Sequence, residues 1–141
     1  MTRTMNQIFE FIGNYWWLVA IWAGFMIALL LDNRSRSGLS VSPSQATSLI
    51  NREGAVVVDI RDKKDFKSGH MSGAINIPFG DLAKRLGELE PHKGKPVVLV
   101  CKTGNTVSMA SKMLKEKGFN AVRLAGGMME WNAQNLPVVR K

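Results

Sequence analysis

The one cysteine of this 141-residue chain, Cys101, follows the apolar run Val97-Val98-Leu99-Val100 and precedes the polar stretch Lys102-Thr103-Gly104-Asn105-Thr106. The chemistry open to a thiol in that setting is nucleophilic, because the thiolate is the reactive form and needs an environment that favours it. Backbone amides in a short polar loop, with the dipole of a following helix, favour negative charge, whether on a thiolate or on a persulfide. The opposing reading is a small buried hydrophobe that ends a core strand, a common fate of free cysteine. The glycine-containing loop after Cys101 is what such a residue would not need. With a single cysteine, no disulfide can form within the chain, and a covalent sulfur intermediate must be discharged by an outside molecule.

The elements around Cys101 place it. Val97 to Val100, bounded by Pro96, reads as a buried parallel strand, and Thr106 to Lys117 as a helix stopped by Gly118. Cys101 therefore falls at a strand's carboxyl end, the edge where open α/β sheets bind ligands. Ser42-Pro43-Ser44 opens a helix through about Ile50, with serine as N-cap, proline in the first turn and Gly54 after it. Ala55 to Ile60 reads as a buried strand, Asp62 to Lys67 as a helical turn broken by Gly69, and Ala74 to Pro78 as a short strand. Phe79 to Leu89 has helical spacing and is ended by Pro91 and Gly94; Ala121 to Leu124 is a further strand, and Gly126-Gly127 turns into a last helix carrying Trp131. Strands alternate with helices, so the expected fold is α/β with a mostly parallel central sheet flanked by helices.

From Phe11 to Leu31 run 21 residues without a formal charge, FIGNYWWLVAIWAGFMIALLL. As one helix they span about 31 Å, close to the ~30 Å of a bilayer's hydrocarbon. Tyr15, Trp16 and Trp17 cluster at one end, where such rings prefer the interface. The expectation is an amino-terminal segment, residues 1–32, with a transmembrane helix at about 11–31. A cleaved signal peptide is the rival, but the positive amino-terminal region is weak and Leu31-Asp32-Asn33-Arg34 offers no small-x-small cleavage pattern. Arg34 and Arg36 after the helix, against Arg3 before it, place the remainder of the chain on the cytoplasmic side by the positive-inside rule. Ala20, Gly24 and Ala28 recur every four residues, a spacing that permits close packing against a membrane-protein partner. Residues 33–40 (NRSRSGLS) read as a flexible linker and 41–141 as the domain.

Of 19 Lys and Arg and 11 Asp and Glu, only three and two precede Val41, so the rest of the chain carries a net charge of +7. Such a domain beside a membrane can rest on anionic lipid; its lysines are nonetheless spread over several segments, with no basic run interleaved with aromatics to suggest nucleic acid. One cysteine and the separated His70 and His92 make no metal-ligand set, and no GxxxxGK[ST] signature is present. No cofactor is expected.

Val57-Val58-Asp59-Ile60-Arg61-Asp62, then Phe66-Lys67-Ser68-Gly69-His70-Met71-Ser72-Gly73-Ala74-Ile75-Asn76-Ile77-Pro78, then Cys101 to Thr106, and finally Gly126-Gly127-Met128-Met129-Glu130-Trp131 resemble, in order and spacing, the successive signatures of a rhodanese domain. The resemblance covers about residues 41 to 138, and the whole chain is similar to a membrane-anchored, single-domain rhodanese of the bacterial inner membrane. It implies transfer of a sulfane sulfur from thiosulfate or a persulfide donor to a thiol or cyanide. Cys101 would be the nucleophile and the amides of Lys102, Thr103, Gly104, Asn105 and Thr106 the cradle of its persulfide. Lys102 stands where arginine is frequent in the family, keeping the charge without the bidentate grip on oxyanions.

Asp59 and Arg61, ending a strand beside that of the cysteine, read either as the rim of the site or as an ion pair that fixes the loops. His70 could act as a general base, but the Gly-His pair looks structural in this family, and Trp131 reads as core or rim packing. The related phosphatases end a longer loop with an arginine, as Cys-x5-Arg; here that position is Val107, which cannot stabilise a transferring phosphate. Two other classes of function are left open: a non-catalytic binding module recruited to a membrane complex, and a redox sensor acting through Cys101 alone.

Overall fold

The uncharged run near the amino terminus forms two helices where one was expected. The computed structural model describes residues 2–36, 38–103 and 106–141, without the side chains at 12 and 32–36, in two units, Met1–Arg36 and Ser37–Lys141. In the first, Thr2–Asn14 (α1) and Trp16–Arg36 (α2) meet at Tyr15, and the stretches Thr2–Phe11 and Trp16–Leu31 are bent by 71°. Gly13 and Asn14 are weak helix formers, and they stand just before the break. The Tyr15 amide still donates to Phe11 O at 3.1 Å, while Tyr15 O accepts from Leu18 N at 2.9 Å and so begins the next helix. Among the described residues no single helix is long and apolar enough to cross a membrane; the bent pair together has the length and composition to do so.

The second unit is built on β4, Pro96–Val100, buried along its whole length. Its side chains alternate between two cores, as the period of a strand requires. Val97, Leu99 and then Cys101 pack with Val58, Ile77, Leu82, Val107 and Leu114 on one face. Val98 and Val100 pack with Val57, Met71, Val122, Met128 and Trp131 on the other. A strand covered on both faces has no solvent side, and for that reason the sequence there is continuously apolar.

Around β4 lie Ser40–Val41 (β1), Val56–Asp59 (β2), Ile75–Asn76 (β3) and Asn120–Leu124 (β5), in the order β1-β5-β4-β2-β3 with every pairing parallel. The flanking helices are Pro43–Glu53 (α3), Lys63–Ser68 (α4), Phe79–Arg85 (α5), Val107–Glu116 (α6) and Gly127–Ala133 (α7). α3 begins as the sequence predicts: Ser42 accepts from Gln45 N, Gln45 returns to the Ser42 amide, and Gly54 closes the helix in the left-handed region.

Two boundaries differ from expectation. The stretch read as a linker, 33–40, is helical as far as Arg36, and Ser40 already belongs to the sheet, paired with Arg123. The helix expected over Phe79 to Leu89 is α5 followed by a 3-10 helix, Leu86–His92, that takes Pro91 into its last turn.

Candidate active site around the cysteine loop

Cys101 leaves β4 on the face that packs against α6, and its side chain is 6% exposed. It thus has one side in the core, as the structural reading required, and another on a cavity of about 280 Å³ at the carboxyl edge of the sheet. That cavity is lined by Cys101, Lys102 and Thr106 together with Ile60, Arg61, Asp62, Asp65, Phe79 and Gly80. Two loops therefore meet at this cavity, one after β2 and one after β4, with the start of α5 beside them. Lys102 and Thr103 are exposed, as is Thr106 immediately before α6. Gly104 and Asn105, expected in the cradle, lie outside the described residues.

The backbone at the cysteine is held by α7. Met128 N donates to Cys101 O at 2.9 Å and Met129 N to Lys102 O at 3.2 Å. Amides in the first turn of a helix have no partner within it; here the cysteine segment supplies two carbonyls. The approach is so close that a Cβ on Gly127 would collide with Cys101 O and come within 2.8 Å of Lys102 O, and Gly127 has φ +57°. Gly127 is thus a positioning residue for the loop, a role the sequence reading gave it only as a turn. The Gly-Gly doublet was the available signal, but its partner across the fold was not.

Asp59 and Arg61 separate on inspection. Asp59 is 1% exposed, does not line the cavity, and accepts from Arg61 N at 3.0 Å, Arg61 Nε at 2.9 Å and Arg61 Nη2 at 2.6 Å. Arg61 donates further to Gly69 O at 2.8 Å, and its side chain forms part of the cavity wall. Asn76 Nδ2 bridges the backbone oxygens of Asp59 and Arg61 at 3.0 and 2.9 Å. The pair thus fixes the loop after β2, and Arg61 alone reaches the rim.

His70 is buried and does not line the cavity; it is stacked on Phe66 with ring centroids 3.7 Å apart, its Nδ1 2.8 Å from Phe66 O. Its backbone bridges Val139. Trp131 is core, with Nε1 donating to Pro137 O at 3.0 Å. Val107 is fully buried beside Cys101 and brings no charge to the cavity. Among the described residues no group of three His, Cys, Asp or Glu is placed to hold a metal ion.

Comparison with known proteins identifies the fold. Residues 42–134 match the model of the Rhodanese-like domain. The chain is 37% identical to the uncharacterized protein YibN of Escherichia coli, over 96% of this chain and 99% of that one. It is 33% identical to the thiosulfate sulfurtransferase GlpE of Shewanella oneidensis, over 67% of this chain and 93% of that one. Among solved structures it superposes on a rhodanese-related protein from Thermoplasma volcanium with a TM-score of 0.67 at 27% identity, covering 73% of this chain and 99% of the other.

Proposed function

The chain belongs to the rhodanese-like domain family, whose members include sulfurtransferases, and from that premise we propose that it moves a sulfane sulfur through a persulfide on Cys101. The observation that carries the reading is the placement of Cys101 in the lining of a cavity at the carboxyl edge of a parallel sheet, one loop before α6.

In the first half-reaction the Cys101 thiolate attacks the outer sulfur of thiosulfate. A new S–S bond forms, the old one breaks, and sulfite leaves with its electron pair. In the second, a thiolate or cyanide attacks the outer sulfur of the persulfide, and Cys101 departs as thiolate. The acceptor leaves as a persulfide or as thiocyanate, and no external oxidant is needed. Lys102, Thr103, Gly104, Asn105 and Thr106 are the residues assigned to the anionic cradle, with the Lys102 ammonium exposed beside it. A loop of amides before a helix stabilises an anion without requiring a bidentate clamp.

The same proposal tethers the domain to the bacterial inner membrane through the bent pair α1 and α2, with the rhodanese unit on the cytoplasmic side. Support comes from the apolar side chains exposed along α2, among them Trp16, Ile21, Trp22, Phe25 and Leu30, and from the positive flank after it. A second reading, a binding module recruited to a membrane complex, rests on Gly24, where an added Cβ would meet nothing within 4 Å beyond its own stretch of helix. With Ala20 and Ala28 it offers a face for close helix packing.

Intact-mass measurement of the purified protein and of Cys101→Ser, after thiosulfate and then after cyanide or a thiol, tests the transfer. A mass gain of one sulfur on the unsubstituted protein alone, lost on adding acceptor, is expected. No gain with thiosulfate or with a persulfide donor would reject catalysis and favour the binding module.

A further inference from the structure

The helix α1 has no role in the sulfur chemistry, and its surface is unlike that of α2. Met5, Ile8 and Phe9 are exposed and, at three- and four-residue spacing, share one face. Arg3, Asn6, Gln7, Glu10 and Asn14 fall on the opposite face by the same periodicity. The stretch Trp16 to Leu31 is instead apolar around its whole circumference, with Trp16, Leu18, Val19, Ile21, Trp22 and Phe25 all exposed.

A helix that is apolar all round suits hydrocarbon, whereas one with an apolar stripe and a polar face suits the boundary between hydrocarbon and water. The chain turns by 71° between the two. At the turn stand Tyr15, Trp16 and Trp17, residue types that favour the headgroup level, with the Phe11 and Tyr15 rings 4.9 Å apart across it.

We propose that α1 lies flat in the lipid headgroup interface on Met5, Ile8 and Phe9, while α2 turns from it into the hydrocarbon. This deepens the membrane-anchor reading and rests on it. Were α1 instead to continue the span, Arg3, Asn6, Gln7 and Glu10 would have to enter hydrocarbon, where polar side chains are costly. The stretch Trp16 to Leu31 gives about 24 Å of helix, against a hydrocarbon core of ~30 Å. Its aromatic end therefore lies at the interface, and because this apolar stretch of α2 alone is shorter than a full span, local thinning of the bilayer makes up the difference. A protein partner is a poorer occupant for the stripe, since three side chains fall far below the roughly 20–30 residues a side of a stable protein interface.

The test uses the full chain with Cys101→Ser as background, reconstituted in vesicles of phosphatidylethanolamine and phosphatidylglycerol. Nitroxide labels are attached at Met5→Cys, Asn6→Cys, Ile8→Cys, Phe9→Cys and Glu10→Cys, one at a time, and at Ile21→Cys and Phe25→Cys as references for the anchor. Collision with oxygen and with a water-soluble nickel chelate reports depth. Labels at 5, 8 and 9 are expected about 5–10 Å below the headgroup boundary, labels at 6 and 10 in water, and labels at 21 and 25 shielded from nickel. Shielding of all five α1 labels would make α1 a continuation of the span. Exposure of all five would leave it in water, and dipolar broadening between copies at 5, 8 and 9 would make the stripe a self-association face. Each of these overturns the inference while leaving the anchor standing, whereas nickel access at 21 and 25 would remove the anchor itself and the inference with it.

Discussion

The amide of Met128 donates to the carbonyl oxygen of Cys101 at 2.9 Å, so the last helix of the domain is fastened to the residue that carries the proposed chemistry. The two are 27 positions apart in the chain, and the contact is made where β4 ends and α7 begins. Gly127 lies in the tight space between them.

Gly127→Ala should therefore damage both fold and loop. The left-handed backbone costs a residue with a Cβ roughly 1–2 kcal/mol, and collision with the Cys101 and Lys102 carbonyls adds to it. A lower urea midpoint is expected, together with reduced sulfur loading of Cys101 by mass spectrometry in the fraction that folds. Unchanged loading and midpoint would show that the loop does not depend on α7.

Asp59 and Arg61 should behave as a buried pair in which each needs the other. Asp59→Ala leaves Arg61 nearly buried without its carboxylate, and breaking such a pair typically costs about 3–5 kcal/mol. Replacing both together by apolar residues, Asp59→Leu with Arg61→Met, should cost less than Asp59→Ala alone. Urea unfolding of the two variants checks the order; if the double variant is the less stable, the loss comes from the backbone bonds at Gly69 and Arg61 rather than from an orphaned charge.

Ser42→Ala removes the oxygen that accepts from Gln45 N. A loss of about 1 kcal/mol is expected, with sulfur loading of Cys101 unaltered because α3 does not line the cavity. Leu114→Ala, on the core face of α6, should cost roughly 2–5 kcal/mol. Comparing the two by thermal unfolding separates a cap from a packed side chain, and equal losses would contradict the burial of Leu114.

Glu88 titrates below the ordinary glutamate range because Arg85 donates to it from Nε at 2.6 Å. A carboxylate lowered by folding contributes stability above its unfolded pKa, and that contribution is lost as the pH falls through the folded value. Both side chains are solvent-exposed at the surface, so the effect is small and screened by salt. The midpoint of the Glu88 resonance titration should move to higher pH in Arg85→Met; no movement would mean that the pair does not persist in solution.

The parts legible in the sequence were those governed by local rules. The β4 run declared its burial on both faces by being continuously apolar, and Ser42, Pro43 and Gly54 marked both ends of α3. Cys101 at a strand's carboxyl end followed from those same local rules. Relationships between distant segments were harder to read. Nothing near Ser40 indicates that it pairs with Arg123, so a polar stretch with Gly38 and several serines read as linker. An uncharged run reports polarity but is blind to backbone direction, which is why the break at Tyr15 was missed. Asp59 and Arg61 stood two apart in the sequence with two roles open, and only the partners in space, Gly69 O and the carboxylate itself, assigned one to the fold and left Arg61 at the rim.

The edge strand β1 has a bearing on how this domain can be handled in isolation. Leu39 O accepts from Arg123 N at 2.9 Å and Val41 O from Ala125 N at 2.8 Å, so residues 39–41 cover the outer edge of β5. A fragment cut at residue 42, where the family match begins, would leave those two amides of β5 open, the kind of uncovered edge that invites strand-to-strand aggregation between molecules. The few residues that lead out of the helices therefore also shield the longer strand β5, and a fragment that begins before Leu39 is expected to aggregate less than one that begins at residue 42.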